Sequence, residues 1–135
     1  MTAPARYPTA QSVLEAYEQR INQHDFDQLV DLLAPDAVFW FSDGTHVGLD
    51  AIRTAFEATW RALANDHYGL DDKHWIAAGA TAATCLYRFN WRTTIDGRPV
   101  AGSGRGTTVL SRASGRWLIV HEHLSSHPIP PHSAA

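Results

Sequence analysis

The order of secondary-structure signals in this sequence predicts an α+β fold. We expect a cone-shaped, curled antiparallel β-sheet with three helices from the N-terminal half of the chain packed on its concave face. Apolar residues at helical spacing dominate up to Leu63, and long extended segments dominate after it. Helices gathered first and strands last are typical of helices covering one face of a sheet. The open end of such a cone can hold a ligand.

Three helices are predicted from the spacing of apolar side chains. The first follows Thr9 and Ser12, either of which can cap it, the second follows Asp25, and the third follows Gly48. Their apolar stripes are Val13, Leu14, Tyr17 and Ile21; Phe26, Leu29, Val30 and Leu33; and Ile52, Ala55, Phe56, Thr59, Trp60 and Leu63.

The predicted strands form one short hairpin and one long meander. Residues 37–41 and 45–47 flank a turn at Ser42-Asp43-Gly44, and the meander comprises residues 67–78, 80–95, 98–112 and 115–127. Asp96-Gly97 is a strong signal for a two-residue hairpin turn. Glycines at 102, 104 and 106 indicate bulges or bending, which would let the sheet curl.

Length and composition limit the classes of function. The chain has 135 residues and a formal net charge of −3 without a basic cluster, so neither nucleic acid nor an anionic membrane is an expected partner. A single cysteine, Cys85, suits a reducing compartment, and we expect a cytoplasmic protein. We expect a loose arm at 1–8, one domain at 9–127 and a proline-rich tail at 128–135.

The final strand carries the first functional signal. Because side chains alternate along a strand, Trp117, Ile119, His121 and His123 share one face, and Leu118, Val120, Glu122 and Leu124 share the other. Neither face is plainly polar, so the strand is expected to be covered on both sides. A carboxylate at Glu122 then lies among aliphatic side chains.

These elements resemble the nuclear transport factor 2-like superfamily, and within it the SnoaL-like branch. The resemblance runs from about Ser12 to Ser126 and rests most on 104–110 (GRGTTVL) and 117–123 (WLIVHEH). The second motif is similar to the closing strand of the calcium/calmodulin-dependent kinase II association domain. Members of this superfamily include isomerases, dehydratases, epoxide hydrolases, cyclases and assembly modules without catalysis.

The resemblance implies an orientation for each strand. It places the Glu122 face of the last strand inside the cone, together with Arg88 and its neighbours Leu86 and Asn90. It places a group of mostly apolar side chains on the convex face, and another protein surface would be needed to cover them. We therefore expect a homodimer through the sheets, and the predicted contact residues are Tyr87, Phe89, Trp91, Trp117, His121 and His123.

Three residues are candidates for catalysis: Tyr17, Arg88 and Glu122. Tyr17 aligns with the oxyanion-stabilising tyrosine of the ketosteroid isomerases, although the position of their catalytic base is Phe41 here. A pocket with an arginine and a later acid resembles that of limonene-epoxide hydrolases. The alternatives from the residues alone are a core tyrosine and a structural salt bridge between Arg88 and Glu122.

The remaining predicted ligand contacts are mostly apolar. They are Phe39, Phe41, Phe56, Trp60, Asn90, Thr108 and Leu124. Asn90 takes the place of the second epoxide-hydrolase acid, and Thr108 and Leu124 take the places of two arginines of the kinase association domain. A pocket lined in this way suits a small hydrophobic or polycyclic molecule.

The sequence leaves two functions open. The first is a cofactor-independent enzyme that carries out proton transfer as an isomerase, dehydratase, hydrolase or cyclase, with Glu122 as base. The second is a ligand-binding or dimerisation module without catalysis. His121 and His123 could contribute to a zinc site, but no full ligand set is present and no metal is expected. Asp43 is explained by turn chemistry, and His46 could shuttle protons.

Overall fold

The computed structural model describes residues 7–128, which form two helices and a six-stranded sheet. The expected tail and most of the expected arm lie outside this range. The helices are α1 (Ala10–Arg20) and α2 (Leu49–Ala62). The strands are β1 (Leu33–Phe41), β2 (Gly44–Val47), β3 (His67–Ala78), β4 (Ala82–Ile95), β5 (Arg98–Ala113) and β6 (Arg116–Ser125).

The sheet confirms the α+β class and adds one parallel pairing. Its strand order is β2-β1-β6-β5-β4-β3. Strands β3 to β6 form the expected antiparallel meander, whereas β1 pairs with β6 in parallel. The hairpin comes from the first half of the chain and the meander from the second half. Pairing between β1 and β6, which are not consecutive strands, joins the two into one sheet. Phe39 of β1 thereby lies beside Glu122 of β6.

The first and third predicted helices are confirmed, and the second is replaced by short turns. A capping box starts α1: the Thr9 hydroxyl accepts a hydrogen bond from the Ser12 amide at 3.0 Å, and the Ser12 side chain accepts one from the Thr9 amide at 3.2 Å. Residues 21–23, 26–28 and 30–32 form 3₁₀ turns. They still bury Phe26, as the apolar spacing indicated.

A bulge in β6 determines which of its residues face the core. Leu110 of β5 pairs with Ile119, but Val109 pairs with His121, so Val120 is an extra residue in the ladder. The bulge shifts the side-chain alternation by one position. Trp117 and Ile119 before it, and Glu122 after it, are therefore all buried.

This bulge corrects part of the predicted orientation. Trp117 and Ile119 were expected on the convex face, but both belong to the core. Glu122 and Leu124 face the inside, as predicted, and both line the cavity described below. Strict alternation along the strand cannot give both results, because it ignores the extra residue.

The orientation of β4 is opposite to the prediction. Tyr87, expected on the convex face, is buried, and Phe89 and Trp91 line the cavity. Arg88, expected inside, has a side chain that is 61% exposed and lies 3.7 Å from Asp72. Asn90 shares the face of Arg88, and its amide donates to Asp71.

Three glycines of β5 leave room for the aromatic rings of β4 on the inner face of the sheet. The register pairs Tyr87 with Gly106, Phe89 with Gly104 and Trp91 with Gly102. A Cβ at Gly102 would lie 2.5 Å from the Trp91 ring, and one at Gly104 would lie 2.5 Å from the Phe89 ring. The rings thus pack on bare backbone, which is how aromatic side chains compensate for glycine in a strand.

Candidate active site

The candidate site is a cavity of about 480 Å³ between the helices and the inner face of the sheet. The 3₁₀ turn at 21–23, the end of β1, helix α2 and strands β3 to β6 all contribute to its wall. The lining residues are Ile21, Phe41, Ser42, Asp43, Phe56, Thr59, Trp60, Leu63, Asp66, Tyr68, Phe89, Trp91, Gly102, Ser103, Glu122, Leu124, Ser125 and Ser126. Most of this surface is aromatic or aliphatic, which suits a small cyclic ligand.

Glu122 is the most deeply buried charged residue of the cavity wall. The residue is 1% exposed, and no cation forms an ion pair with it among residues 7–128. The Tyr17 hydroxyl donates to its Oε2 at 3.3 Å, and the Tyr87 hydroxyl donates to its Oε1 at 3.3 Å. Two tyrosines of different elements, α1 and β4, therefore fix the carboxyl group from both sides.

Thr108 extends this network away from the cavity. Its hydroxyl lies 2.7 Å from that of Tyr87. Because Tyr87 uses its proton to bond Glu122, Thr108 is the donor in this contact. Thr108 is fully buried beside Glu122 on the neighbouring strand and does not line the cavity. It supports the position of Tyr87.

Burial controls the protonation of Glu122. Desolvation raises the pKa of its carboxyl group from the ordinary 4.5 to about 7, while the hydrogen bonds from Tyr17 and Tyr87 act in the opposite direction. Burial also raises the pKa of both tyrosine hydroxyls well above 10, and the nearby Glu122 charge adds to this effect. The tyrosines thus remain donors, while Glu122 can gain or lose a proton near neutral pH.

The structure brings together some of the predicted site residues and separates others. Tyr17 and Glu122 are in contact, and Phe41, Phe56, Trp60 and Leu124 line the cavity. Phe39 is fully buried in the core outside the lining and packs edge-on against Phe41 at 5.8 Å between ring centroids. Arg88 and Asn90 lie on the opposite face of the sheet, because the β4 aromatics occupy the inner one.

The histidines that the sequence singled out make defined contacts in the structure. His46 donates a hydrogen bond from Nε2 to Oδ1 of Asp43 at 3.1 Å, and the Asp43 side chain is 70% exposed at the cavity rim. His121 contacts the Val38 carbonyl oxygen at 2.6 Å through Nδ1. No group of three metal-ligating side chains occurs among residues 7–128.

Sequence reasoning missed Tyr68 and misplaced Tyr87. The register that places Tyr87 inside can be counted from the Asp96-Gly97 turn, because Ile95 pairs with Arg98 and every earlier residue follows in step. The alternate glycines of β5 then fall opposite the alternate aromatics of β4. This coincidence of two patterns was the available signal. Tyr68 follows a loop, and nothing in its immediate sequence indicates a role.

Neither helix within residues 7–128 combines the length and the apolar character that crossing a membrane requires.

Comparisons with known proteins agree on one fold. A nuclear transport factor 2-like superfamily protein of Salmonella enterica is 18% identical, with a TM-score of 0.80, over 91% of this chain and 92% of that one. The association domain of Caenorhabditis elegans calcium/calmodulin-dependent kinase II is 21% identical, with a TM-score of 0.67, over 86% of this chain and 88% of that one. A candidate dehydratase from Streptomyces avermitilis is 15% identical, with a TM-score of 0.78, over 90% and 95%. The TM-scores establish a common fold, and at these low identities the comparison shows the fold alone.

Sequence comparison identifies the family directly. No curated protein sequence matches the chain significantly. The sequence model of the SnoaL-like domain matches residues 13–120, which include most of α1, all of α2 and most of the sheet. The chain therefore belongs to the SnoaL-like domain family, with the nuclear transport factor 2-like fold.

Proposed function

We propose that this protein binds a small hydrophobic, cyclic molecule and transfers a proton to or from it through Glu122. One observation carries the proposal: a carboxyl group with no cationic partner among residues 7–128 lies in the wall of an apolar cavity, and its pKa is raised to about 7. General acid–base catalysis is most effective when the pKa of the catalytic group lies near the working pH. The residues of the site supply this chemistry without a cofactor.

Tyr17 and Tyr87 act as positioning residues in this proposal. Their hydroxyl groups hold the two oxygens of Glu122, so the carboxyl group cannot rotate freely toward or away from the ligand. A fixed orientation is required because a catalytic base works only within hydrogen-bonding distance of the proton that it removes. Tyr17 was expected to bond the ligand itself; its contact with Glu122 favours the positioning role.

The experiment is a turnover screen in which matched variants identify the catalytic group. Steroids, aromatic polyketides and terpenoid epoxides are incubated with the protein, and products are detected by mass spectrometry. Glu122→Gln keeps the shape of the side chain and removes its acid–base function, so we expect turnover to fall about 10²- to 10⁴-fold. Arg88→Gln removes a charge from the opposite face and should leave turnover unchanged. Turnover that survives in Glu122→Gln would contradict the proposal.

We also propose a homodimer through the convex face, on a different set of residues from that expected. The register aligns Trp40, His123, Thr107 and Leu86 in one row across four strands. Trp40 is 47% exposed and Leu86 38% exposed, which is unusual for large apolar side chains in the middle of a sheet. This row also favours the second candidate function, a dimerisation module.

A cytoplasmic location remains part of the proposal, supported by the single Cys85.

A further inference from the structure

Tyr68 lies in the wall of the cavity, and its hydroxyl group has no bonding partner within the described part of the chain. The residue lies near the start of β3 and lines the cavity. Its hydroxyl oxygen is buried and makes no hydrogen bond within residues 7–128. Buried hydroxyl groups nearly always have a partner, because removing one from water without replacing its hydrogen bonds is unfavourable. An exception in the wall of a cavity suggests a partner that comes from outside the chain.

The position of Tyr68 is fixed at both its backbone and its ring. The Asn22 side chain accepts a hydrogen bond from the Tyr68 amide at 2.7 Å and donates one to the Tyr68 carbonyl at 2.9 Å. The ring stacks on Phe89, with an interplanar angle of 18° and 6.1 Å between centroids. The hydroxyl is therefore held in place before any ligand binds, which reduces the entropic cost of forming a new hydrogen bond.

The charges around Tyr68 make it a hydrogen-bond donor. Burial raises the pKa of its hydroxyl well above 10, and the nearby carboxylates of Glu122 and Asp66 raise it further. The group therefore keeps its proton. Tyr17 and Tyr87 already donate to Glu122, so of the three tyrosine hydroxyls near this carboxylate only that of Tyr68 remains available.

We propose that Tyr68 is a specificity-determining residue that donates a hydrogen bond to an oxygen atom of the ligand, such as the carbonyl oxygen of a cyclic ketone. This inference rests on the proposed function of the cavity and names the class of ligand. An oxygen that only accepts hydrogen bonds is repelled by an ionised Glu122 and attracted by Tyr68. The ligand therefore binds with its oxygen at Tyr68, and an apolar edge carrying C–H bonds faces Glu122.

The test compares two probes of nearly equal shape, the bicyclic ketone 1-tetralone and the hydrocarbon tetralin. Binding is measured by equilibrium dialysis at pH 8.5, where Glu122 is ionised and cannot donate to the ketone. Tyr68→Phe should weaken 1-tetralone binding about five- to thirty-fold, because its carbonyl loses a donor in a buried site. Tetralin binding should change less than twofold. Tyr7→Phe, which removes a hydroxyl bonded to Arg20 outside the cavity, should alter neither affinity.

The possible outcomes separate this inference from the proposed function. If both probes bind and Tyr68→Phe weakens both equally or neither, the ketone subsite is wrong and the cavity stands. If neither probe binds the unmodified protein, the proposed ligand class fails and the inference with it. A selective loss of 1-tetralone binding supports both.

The stability of the free protein gives an independent measurement. Because the Tyr68 hydroxyl has no partner among residues 7–128, Tyr68→Phe should leave the Tm unchanged or raise it. Tyr17→Phe, by contrast, removes a donor from buried Glu122 and should lower the Tm at pH 8.5. A marked fall in the Tm of Tyr68→Phe would show that the hydroxyl has a structural partner, and would overturn the inference.

Discussion

The protonation of Glu122 should make the stability of the fold depend on pH in a way that a single variant can isolate. The folded-state pKa of about 7 lies above the ordinary value of 4.5, so between these values the folded protein binds more protons than the unfolded chain. The stabilising contribution of neutral Glu122 is complete below about pH 4.5 and is lost as the pH rises through 7. Over this window the free energy of unfolding should fall by about 3 kcal/mol.

Glu122→Gln removes this dependence, because glutamine stays neutral at every pH. Urea unfolding of both proteins at pH 5, 6, 7 and 8 measures the difference, and we expect the variant to gain roughly 2–3 kcal/mol on the wild type across that range. Other groups titrate equally in both proteins and cancel. Glu15→Gln on the exposed side of α1 serves as the matched control and should follow the wild-type curve. Parallel curves for Glu122→Gln and the wild type would refute the argument from burial.

Two further predictions concern the sheet. Gly106→Ala should lower the free energy of unfolding by about 1–3 kcal/mol, since its Cβ would collide with the Tyr87 ring. Gly79→Ala should have little effect, because its Cβ would make only an ordinary van der Waals contact. Equal urea midpoints for the two variants would contradict this packing. Trp40→Lys should convert a dimer to a monomer in sedimentation velocity at micromolar concentration, and Ile95→Lys, equally exposed but outside the row, should not. A wild-type monomer would exclude the interface.

The fold could be predicted because its signals are local and agree with one another. Thr9 and Ser12 start a helix, and Asp96-Gly97 closes a hairpin. The core buries the whole predicted stripe of α1 and three residues of the α2 stripe, which are Ile52, Phe56 and Trp60. The second helix failed for a physical reason. A helix that short has too few hydrogen bonds to offset the cost of its first turn, so the chain forms 3₁₀ turns, and Phe26, Leu29 and Leu33 are still buried.

The site was only partly predictable because its geometry depends on which face of each strand points inward. Glu122 was found through the contrast between its charge and its apolar neighbours. Arg88 was misplaced because alternation shows which residues share a face, but not which face is inside. The inner face is the one on which aromatic side chains of β4 pack over glycines of β5, a pattern that is visible only when the two strands are paired. Tyr68 depends on contacts with Asn22, which is 46 residues away along the chain.

The extra residue at Val120 divides the last strand into two parts with separate tasks. Residues before it consolidate the interior of the domain, and residues after it equip the ligand chamber. Deleting Val120 would join Ile119 directly to His121 and leave the carboxylate facing inward, because the pairs on either side of the bulge would become consecutive. A lineage with this architecture could thus gain or lose one residue here through a single-codon insertion or deletion and still keep its internal acid.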